Sequence, residues 1–329
     1  MNHLYIVTHT DLDGIASAAA ALRVSGRSLD HATIIYADPY NIHEKLIQIK
    51  EHVEDGDYIV ISDLGPSRDS FKPTVDIIRD ITGRGARVYW YDHHVWGDDE
   101  VKAASDAGAV LRIDRGTCAT GVVARYMPAD IGAEGDEFLS ELESAVCAAD
   151  LWRWDHHLAP KLFRVAENRR SEEWKNTLAA KFSSGVLWDE ELEEALRDYI
   201  ARELEGYNKI VSMVYVTEAP CRVAAAYKKF RGPPSNSMIG ALLQGRYMPD
   251  IAVILRSNGG ISLRSKRVNV QVVAARLGGG GHPAAAGAKI RMPLLVRLIS
   301  WLAPRYASRY AANLVRSVAI ESGVCGGRG

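Results

Sequence analysis

Apolar and polar positions fall in alternating blocks along the first ninety residues. LYIVT at 4–8 is a continuous apolar run of the length expected of a strand covered on both faces. GIASAAAALRV at 14–24 follows, and its alanines and leucines favour helix. The pair recurs as ATIIYA at 32–37 with helical NIHEKLIQIKEHV at 41–53, then as DYIVIS at 57–62 with a helical stretch over 69–81, and ARVYWY at 86–91 supplies a fourth strand. Strands separated by helices predict parallel neighbours, because a parallel pair needs a crossover. The expected fold class is therefore α/β, a parallel sheet with helices on both faces. In such sheets ligands bind beyond the carboxyl ends of the strands.

The pattern changes at 188. WDEELEEALRDYIARELEGYNKIV (188–211) sets charges among apolar residues at helical spacing, as a connecting helix with one wet face would. CRVAAAY, DIAVILRS and GGISLRS then read as strands, with Asn258, Gly259 and Gly260 as a hairpin turn. The expected division is a first α/β domain over 1–187, a connecting helix over 188–211 and a smaller mixed α/β domain over 212–329, and domain junctions are common places for substrate clefts. LLVRLISWLA (294–303) falls far short of the ~20 apolar residues of a membrane span and reads as an amphipathic helix packed on a domain. A last amphipathic helix over 306–323 either packs on the second domain or serves a homodimer, and GVCGGRG at the end is expected to fray.

Composition narrows the partners. With 40 Lys and Arg against 41 Asp and Glu among 329 residues, no global basic field holds a long polyanion, so the substrate is small or a local patch does the binding. The opening MNHLYIVTHT has no basic flank of an export signal, and no membrane partner is expected. The four cysteines, 118, 147, 221 and 325, form no C-x-x-C pair and no disulfide ladder, and read as unpaired small residues in a cytoplasmic protein.

The chemistry collects at the strand ends. The first strand runs into His9, Asp11 and Asp13, the third into Asp63, the fourth into Asp92, His93 and His94. Carboxylates gathered on one edge repel one another unless cations bind, and oxygen with imidazole ligands suits Mn²⁺ or a similar divalent ion, which points to a two-metal site. Taken singly, DLDG would cap a helix. Asp38 also ends a strand, but ADPYN reads as turn and cap chemistry, so Asp38 stays outside the site. A second DHH at 155–157 follows a helical pattern, not a strand, and reads as a solvated helix-end cluster. Asp150, closing the small-residue stretch AVCAAD, is the better candidate. Gly278 to Gly281 leave backbone amides unshielded beside His282, Arg264, Ser265, Lys266 and Arg267, a combination suited to an anion.

THTDLDGIASA, ISDLGPS, YDHH and CAAD, in that order, resemble the four motifs of the DHH phosphoesterase superfamily, and residues 261–290 with GGGGHPAAAG resemble its DHH-associated domain. The resemblance implies that Asp11 holds one ion and Asp13 the other, that Asp63 bridges them, and that His93 and Asp150 complete the shell of the second ion. His9 would be a further ligand, standing two before Asp11 where RecJ-type exonucleases carry aspartate; the position four before Asp11, where many relatives have histidine, is Val7. His94 would face the substrate phosphate, with Asp92 orienting an imidazole, and Arg264, Ser265, Gly279, Gly280, Gly281 and His282 would recognise the substrate. The implied cofactor is a pair of Mn²⁺ ions, with Mg²⁺ or Co²⁺ as alternatives, and such a pair lowers the pKa of a shared water and aligns it for in-line attack on phosphorus. The expected function is a phosphodiesterase acting on a short oligonucleotide or linear dinucleotide, with nucleotide phosphomonoesters as further candidates; the alternatives are a RecJ-like single-strand exonuclease and a catalytically silent binding subunit.

Overall fold

The computed structural model describes residues 2–168 and 171–325, so the part of the expected frayed end from 326 onward lies outside the described residues. The chain divides into two compact units, 1–197 and 198–329. In the first, the order is β1 (Leu4–Thr8), α1 (Leu12–Ser25), β2 (Ala32–Tyr36), α2 (Ile42–Lys50), β3 (Tyr58–Ser62), α3 (Phe71–Gly83), β4 (Arg87–Asp92), α4 (Asp98–Asp106) and β5 (Ala109–Ile113). Helices α5 (Ala119–Ile131), α6 (Glu137–Asp150), α7 (Ala159–Asn168), α8 (Glu172–Ser183) and α9 (Glu190–Ser212) follow. The division between the units falls within α9, inside the segment expected to connect them.

The five strands form one parallel sheet in the order β2-β1-β3-β4-β5. Both faces are covered, and alternate residues of each strand feed the two sides. Leu4, Ile6, Val60, Tyr89 and Tyr91 pack with α1, α5, α6, α7 and α8, while Tyr5, Val7, Ile59, Ile61, Val88 and Trp90 pack with α2 and α3. The alanine run of α1, residues 18–21, is fully buried, because small side chains let helices approach it closely. The strand order reverses between β1 and β3, which places the expected ligand crevice at their carboxyl ends.

The second unit contains β6 (Tyr215–Val216), β7 (Val223–Lys228), α10 (Asn236–Tyr247), β8 (Ile251–Arg256), β9 (Gly260–Arg264), α11 (Val270–Arg276), β10 (Gly280–Gly281), β11 (Ala285–Lys289), α12 (Leu294–Leu302) and α13 (Pro304–Glu321). Its six strands form a mixed sheet, β10-β11-β9-β8-β7-β6, in which only β7 and β8 run parallel. The Asn258–Gly260 turn joins antiparallel β8 and β9, with Gly259 at φ 84°. Of the two uses expected for the tail, the structure shows packing: Ala307, Ala311, Ala312, Val315 and Ala319 of α13 join the core over β7 and β8.

Three expectations need correction. The cysteines are all buried, but they are paired, Cys118 with Cys147 and Cys221 with Cys325. Partners 29 and 104 residues apart are joined by the fold, which spacing along the chain cannot reveal. The cysteine count therefore carries no argument for a reducing compartment. Closing the 104-residue loop is worth about 4–5 kcal/mol in the chain-entropy description, so Cys325→Ser is expected to lower the thermal midpoint clearly, and a reductant, which opens Cys118–Cys147 as well, should lower the midpoint of the native chain at least as far.

The near-zero net charge is the sum of two opposite ones. Residues 1–197 carry 21 Lys and Arg against 35 Asp and Glu, whereas residues 198–329 carry 19 against 6. Averaging over both units hid a strongly basic second unit, and the charge argument for a small substrate falls with it. Thirdly, α12 is only narrowly packed: Val296 and Ser300 are buried while Leu294, Leu295, Leu298, Trp301 and Leu302 are exposed. No helix among the described residues is long and apolar enough to cross a membrane.

Candidate metal centre

The carboxyl ends of β1, β3 and β4 bring the acids and imidazoles of the first unit together. Asp11 is the N-cap of α1, and its Oδ1 accepts from the Gly14 amide at 3.2 Å. Its Oδ2 lies 3.0 Å from His9 Nδ1, so one carboxylate serves both the helix and the cluster. Asp13, in the first turn of α1, is fully buried; its Oδ2 accepts from the Ala119 amide at 2.7 Å, and its Oδ1 from the Thr120 amide at 2.8 Å and the Thr120 hydroxyl at 2.6 Å. The N-terminus of α5 thus fixes that side chain from 106 residues away.

Asp63 follows β3 with φ 56°, the left-handed region that side chains other than glycine seldom occupy. A non-glycine residue held there beside such a cluster marks strain kept at a working site. Its Oδ2 is 3.4 Å from His9 Nδ1 and its Oδ1 is 3.4 Å from His93 Nε2. His93 Nε2 also lies 3.8 Å from Asp13 Oδ2 and 3.8 Å from Asp150 Oδ2, the latter at the end of α6. The donors form two sets, His9 with Asp11 and Asp63, and Asp13 with His93 and Asp150. A further grouping, Asp63 with His93 and His94, overlaps the first set through Asp63 and the second through His93.

The buried Asp63 Oδ2 accepts no hydrogen bond, although burying a carboxylate oxygen is costly unless something answers its charge. That orphaned oxygen, and a donor set of carboxylate oxygens and imidazole nitrogens, fit a pair of divalent ions. Protons answer the charge otherwise. Burial and then the Asp63 charge push the Asp13 carboxyl up to about 7. Burial and then the charges of Asp13 and Asp63 push Asp150 up to about 9. For His93, burial works downward, but the Asp63 contact and the charges of Asp13, Asp63 and Asp150 prevail and raise it to about 10. His9 is likewise held well above its ordinary value by Asp11, Asp38 and Asp63 against desolvation, and Asp11 well below its own by His9.

For the metal-free chain the sign follows from these directions. Groups whose folded pKa is raised bind more protons in the folded state, so their stabilising contribution is complete below the unfolded value and is lost as pH rises through about 7 and about 9. The thermal midpoint in chelator should therefore fall between about pH 6 and about pH 8.5, and added divalent ion should restore it more at the higher pH. A midpoint in chelator that rises over this range would contradict the arrangement.

His94 is held differently. Its Nδ1 is 2.7 Å from Asp92 Oδ1, and the other oxygen of the fully buried Asp92 accepts from Trp96 Nε1 at 2.7 Å. Burial works to lower the His94 pKa, but the Asp92 contact raises it. Gly65 makes room for this ring, since a Cβ there would lie 2.8 Å from His94 Cβ. The aspartate, the tryptophan and the glycine form the seat of one imidazole.

Sequence reasoning left out two contributors. Asp38 after β2 sits with its Oδ1 3.7 Å from His9 Nε2, while its amide donates to Asn41 Oδ1, so it takes part in a turn and also faces the cluster. A fourth strand ending on the same edge was the available signal. Thr120 had none, since only the fold brings it to Asp13. The second DHH stands between α6 and α7, where His156 Nε2 meets Glu141 at 3.1 Å and stacks on His157.

In the second unit Arg264 ends β9 with its guanidinium donating to the Leu263 carbonyl at 3.0 Å and to Ser237 Oγ at 3.2 Å. Burial lowers its pKa, and no carboxylate pairs with it among the described residues, which suits an incoming anion. The glycine run is built into the fold: β10 pairs with β11, and a Cβ on Gly279 would lie 2.1 Å from the Gly287 carbonyl oxygen. Gly280, Gly281 and His282 are exposed along this hairpin. Ser265 closes a turn, its hydroxyl donating to the Asp250 carbonyl and accepting from the Arg267 and Val268 amides.

A model of the DHH family, N-terminal domain, matches residues 3–150, and a model of the DHHA1 domain matches residues 222–300. No curated protein matches the chain. Among solved structures, the pGpG-specific phosphodiesterase PggH of Vibrio cholerae is 15% identical with a TM-score of 0.55, covering 93% of this chain and 99% of that one. RecJ of Thermus thermophilus in complex with Mn²⁺ is 14% identical with a TM-score of 0.59, covering 95% of this chain and 52% of that one. An exopolyphosphatase-related protein of Bacteroides fragilis is 13% identical with a TM-score of 0.55, covering 96% and 94%. At these identities the likeness is one of fold.

Proposed function

The chain belongs to the DHH phosphoesterase superfamily and carries a DHHA1 domain, and on that premise we propose that it is a divalent-metal-dependent phosphodiesterase acting on short oligonucleotides or linear dinucleotides. The observation that carries the proposal is the pair of donor sets joined by Asp63, whose buried oxygen has no hydrogen bond. His9, Asp11 and Asp63 would hold one ion, and Asp13, His93 and Asp150 the other, with Asp63 shared. Mn²⁺ is the proposed ion, and Mg²⁺ and Co²⁺ suit the same donors. When bound, such a pair supplies Lewis acidity at the phosphoryl oxygens and a water acidic enough to react near neutral pH.

The chain's own residues do the rest. Asp92 holds Nδ1 of His94 and favours its protonated form, so the ring donates from Nε2 to a phosphate oxygen and offsets the charge that gathers there. Trp96 keeps Asp92 in that orientation. α5 keeps the Asp13 oxygens in place through two amides and a hydroxyl. Within the second unit, Arg264 and the β10–β11 hairpin are the proposed contacts for an anion. PggH, which shares the fold, is described as a pGpG-specific phosphodiesterase, and a linear dinucleotide of that kind heads the proposed substrates.

One observation favours a second reading, a RecJ-like single-strand exonuclease: the excess of 19 Lys and Arg over 6 Asp and Glu in residues 198–329 suits a longer polyanion. A silent binding subunit would have no use for an intact set of metal donors. The test is Mn²⁺-dependent hydrolysis of a panel comprising linear dinucleotides, a nucleoside bisphosphate, cyclic dinucleotides, pyrophosphate, and labelled RNA and DNA of increasing length. The proposal requires rates that collapse beyond a few nucleotides. Rates rising with length would replace it with the exonuclease, and no turnover of any substrate would remove the enzyme altogether.

A further inference from the structure

The strongest exposed apolar feature of the chain is α12. Leu294 is 74% exposed, Leu295 64%, Leu298 70%, Trp301 79% and Leu302 79%. At relative positions 0, 1, 4, 7 and 8 they share one side of the helix, opposite Val296 and Ser300, which face the core. Proteins seldom leave so many large apolar side chains together in water without a use for them.

The charges around the stripe say what covers it. From 251 to 320 the chain has eleven Lys and Arg and no Asp or Glu. Arg291, Arg297, Arg305 and Arg309 border α12, all exposed, and none meets a carboxylate among the described residues. A second copy docked stripe on stripe would set these arginines against their own counterparts, with no acid in the segment to separate them. Its acidic residues 1–197 match the arginines in charge, but among the described residues there the exposed large apolar side chains (Tyr40, Ile47, Val95, Val110, Tyr126, Trp152) stand singly on separate elements and offer the leucines no matching face. Nucleic acid offers phosphates and sugars, which a stripe of leucines would not solvate. An anionic bilayer matches both features, since acyl chains receive protruding leucines of any outline while headgroups meet the arginines and the indole. No helix among the described residues spans a membrane, so contact would be in-plane.

We propose that α12 is an interfacial helix by which the chain binds anionic phospholipid surfaces, Leu294, Leu295, Leu298, Trp301 and Leu302 entering the bilayer and the flanking arginines meeting its headgroups. No membrane partner was legible in the sequence because apolar run length reports only whether a segment can span. The inference stands apart from the proposed activity, since α12 carries none of the metal donors.

The test is co-sedimentation of the full chain with vesicles of phosphatidylcholine alone or mixed with an equal part of phosphatidylglycerol. Binding is expected to the mixed vesicles, about tenfold weaker to the neutral ones, and weaker again in high salt. The double variant Leu298→Asp with Trp301→Asp should lose at least about tenfold in partitioning, because full burial of one such side chain is worth about ten- to a hundredfold. Leu298→Phe should keep it. Because two acids on an exposed face leave the core alone, circular dichroism of the double variant should match the wild type. A wild-type chain that stays in the supernatant with mixed vesicles overturns the proposal, as does a double variant that binds them equally well. A wild-type dimer that the double variant splits, with vesicle binding unchanged, assigns the stripe to a second copy and overturns it too.

Discussion

Asp63→Asn is expected to lower kcat/KM by about 10³-fold or more, beyond the loss typical of a single charge-stabilising donor, and to abolish tight binding of divalent ions at both donor sets. Among the described residues Asp63 is the one whose two oxygens face different sets, Oδ2 toward His9 and Oδ1 toward His93. Asparagine keeps the size of the side chain and tolerates the left-handed backbone at φ 56°, so the fold survives the exchange and the loss reports chemistry. Calorimetric titration with Mn²⁺ beside steady-state kinetics measures both effects. A variant keeping a tenth of wild-type activity would remove Asp63 from its shared role.

Asp92→Asn should lower kcat by about 10²-fold, the scale of losing a well-placed proton donor, with a smaller change in KM. The two Asp92 oxygens accept from different partners, His94 Nδ1 and Trp96 Nε1. An amide has one oxygen to offer, so its NH₂ group must confront one of the two donors and the ring loses its fixed tautomer. The pH profile separates this from a general loss of packing. Asp92 raises the His94 pKa, and the proposed role needs the protonated ring, so in Asp92→Asn the fall of activity on the basic side should begin at lower pH. A variant with reduced kcat and an unshifted profile would give Asp92 a structural role alone.

Much of the first unit was legible because its strands are buried on both faces. Continuous runs such as LYIVT and DYIVIS declare themselves, and once the sheet is parallel its carboxyl edge sorts acids that are ambiguous singly. β5 was not legible for the converse reason. It is an edge strand whose Val110 and Arg112 are not buried, and α5 behind it opens on TCATG and carries Pro128. With α5 went its hold on Asp13, a contact across 106 residues that no local pattern encodes. Asp38 was set aside because its cap chemistry is real: the Asn41 side chain does meet its amide, and the same residue still faces His9.

Pairwise facts were the least legible. Cys118 and Cys147 approach only because α5 and α6 pack side by side, and no count of cysteines carries that information. Charge failed through averaging, since a whole-chain balance cannot report that one unit is acidic and the other basic. The glycine run 278–281 was readable as unusual, but its reason is partly internal: the hairpin brings backbone against backbone at Gly279, leaving no room for a side chain.

The central claim, that Asp63 joins two divalent ions, is tested most directly by anomalous diffraction from a crystal of the chain grown with Mn²⁺. The account predicts two anomalous peaks about 3.5–4 Å apart, both within ligand distance of Asp63, one beside His9 and Asp11 and the other beside Asp13, His93 and Asp150. A single peak, or peaks that leave Asp63 uncoordinated, would contradict it.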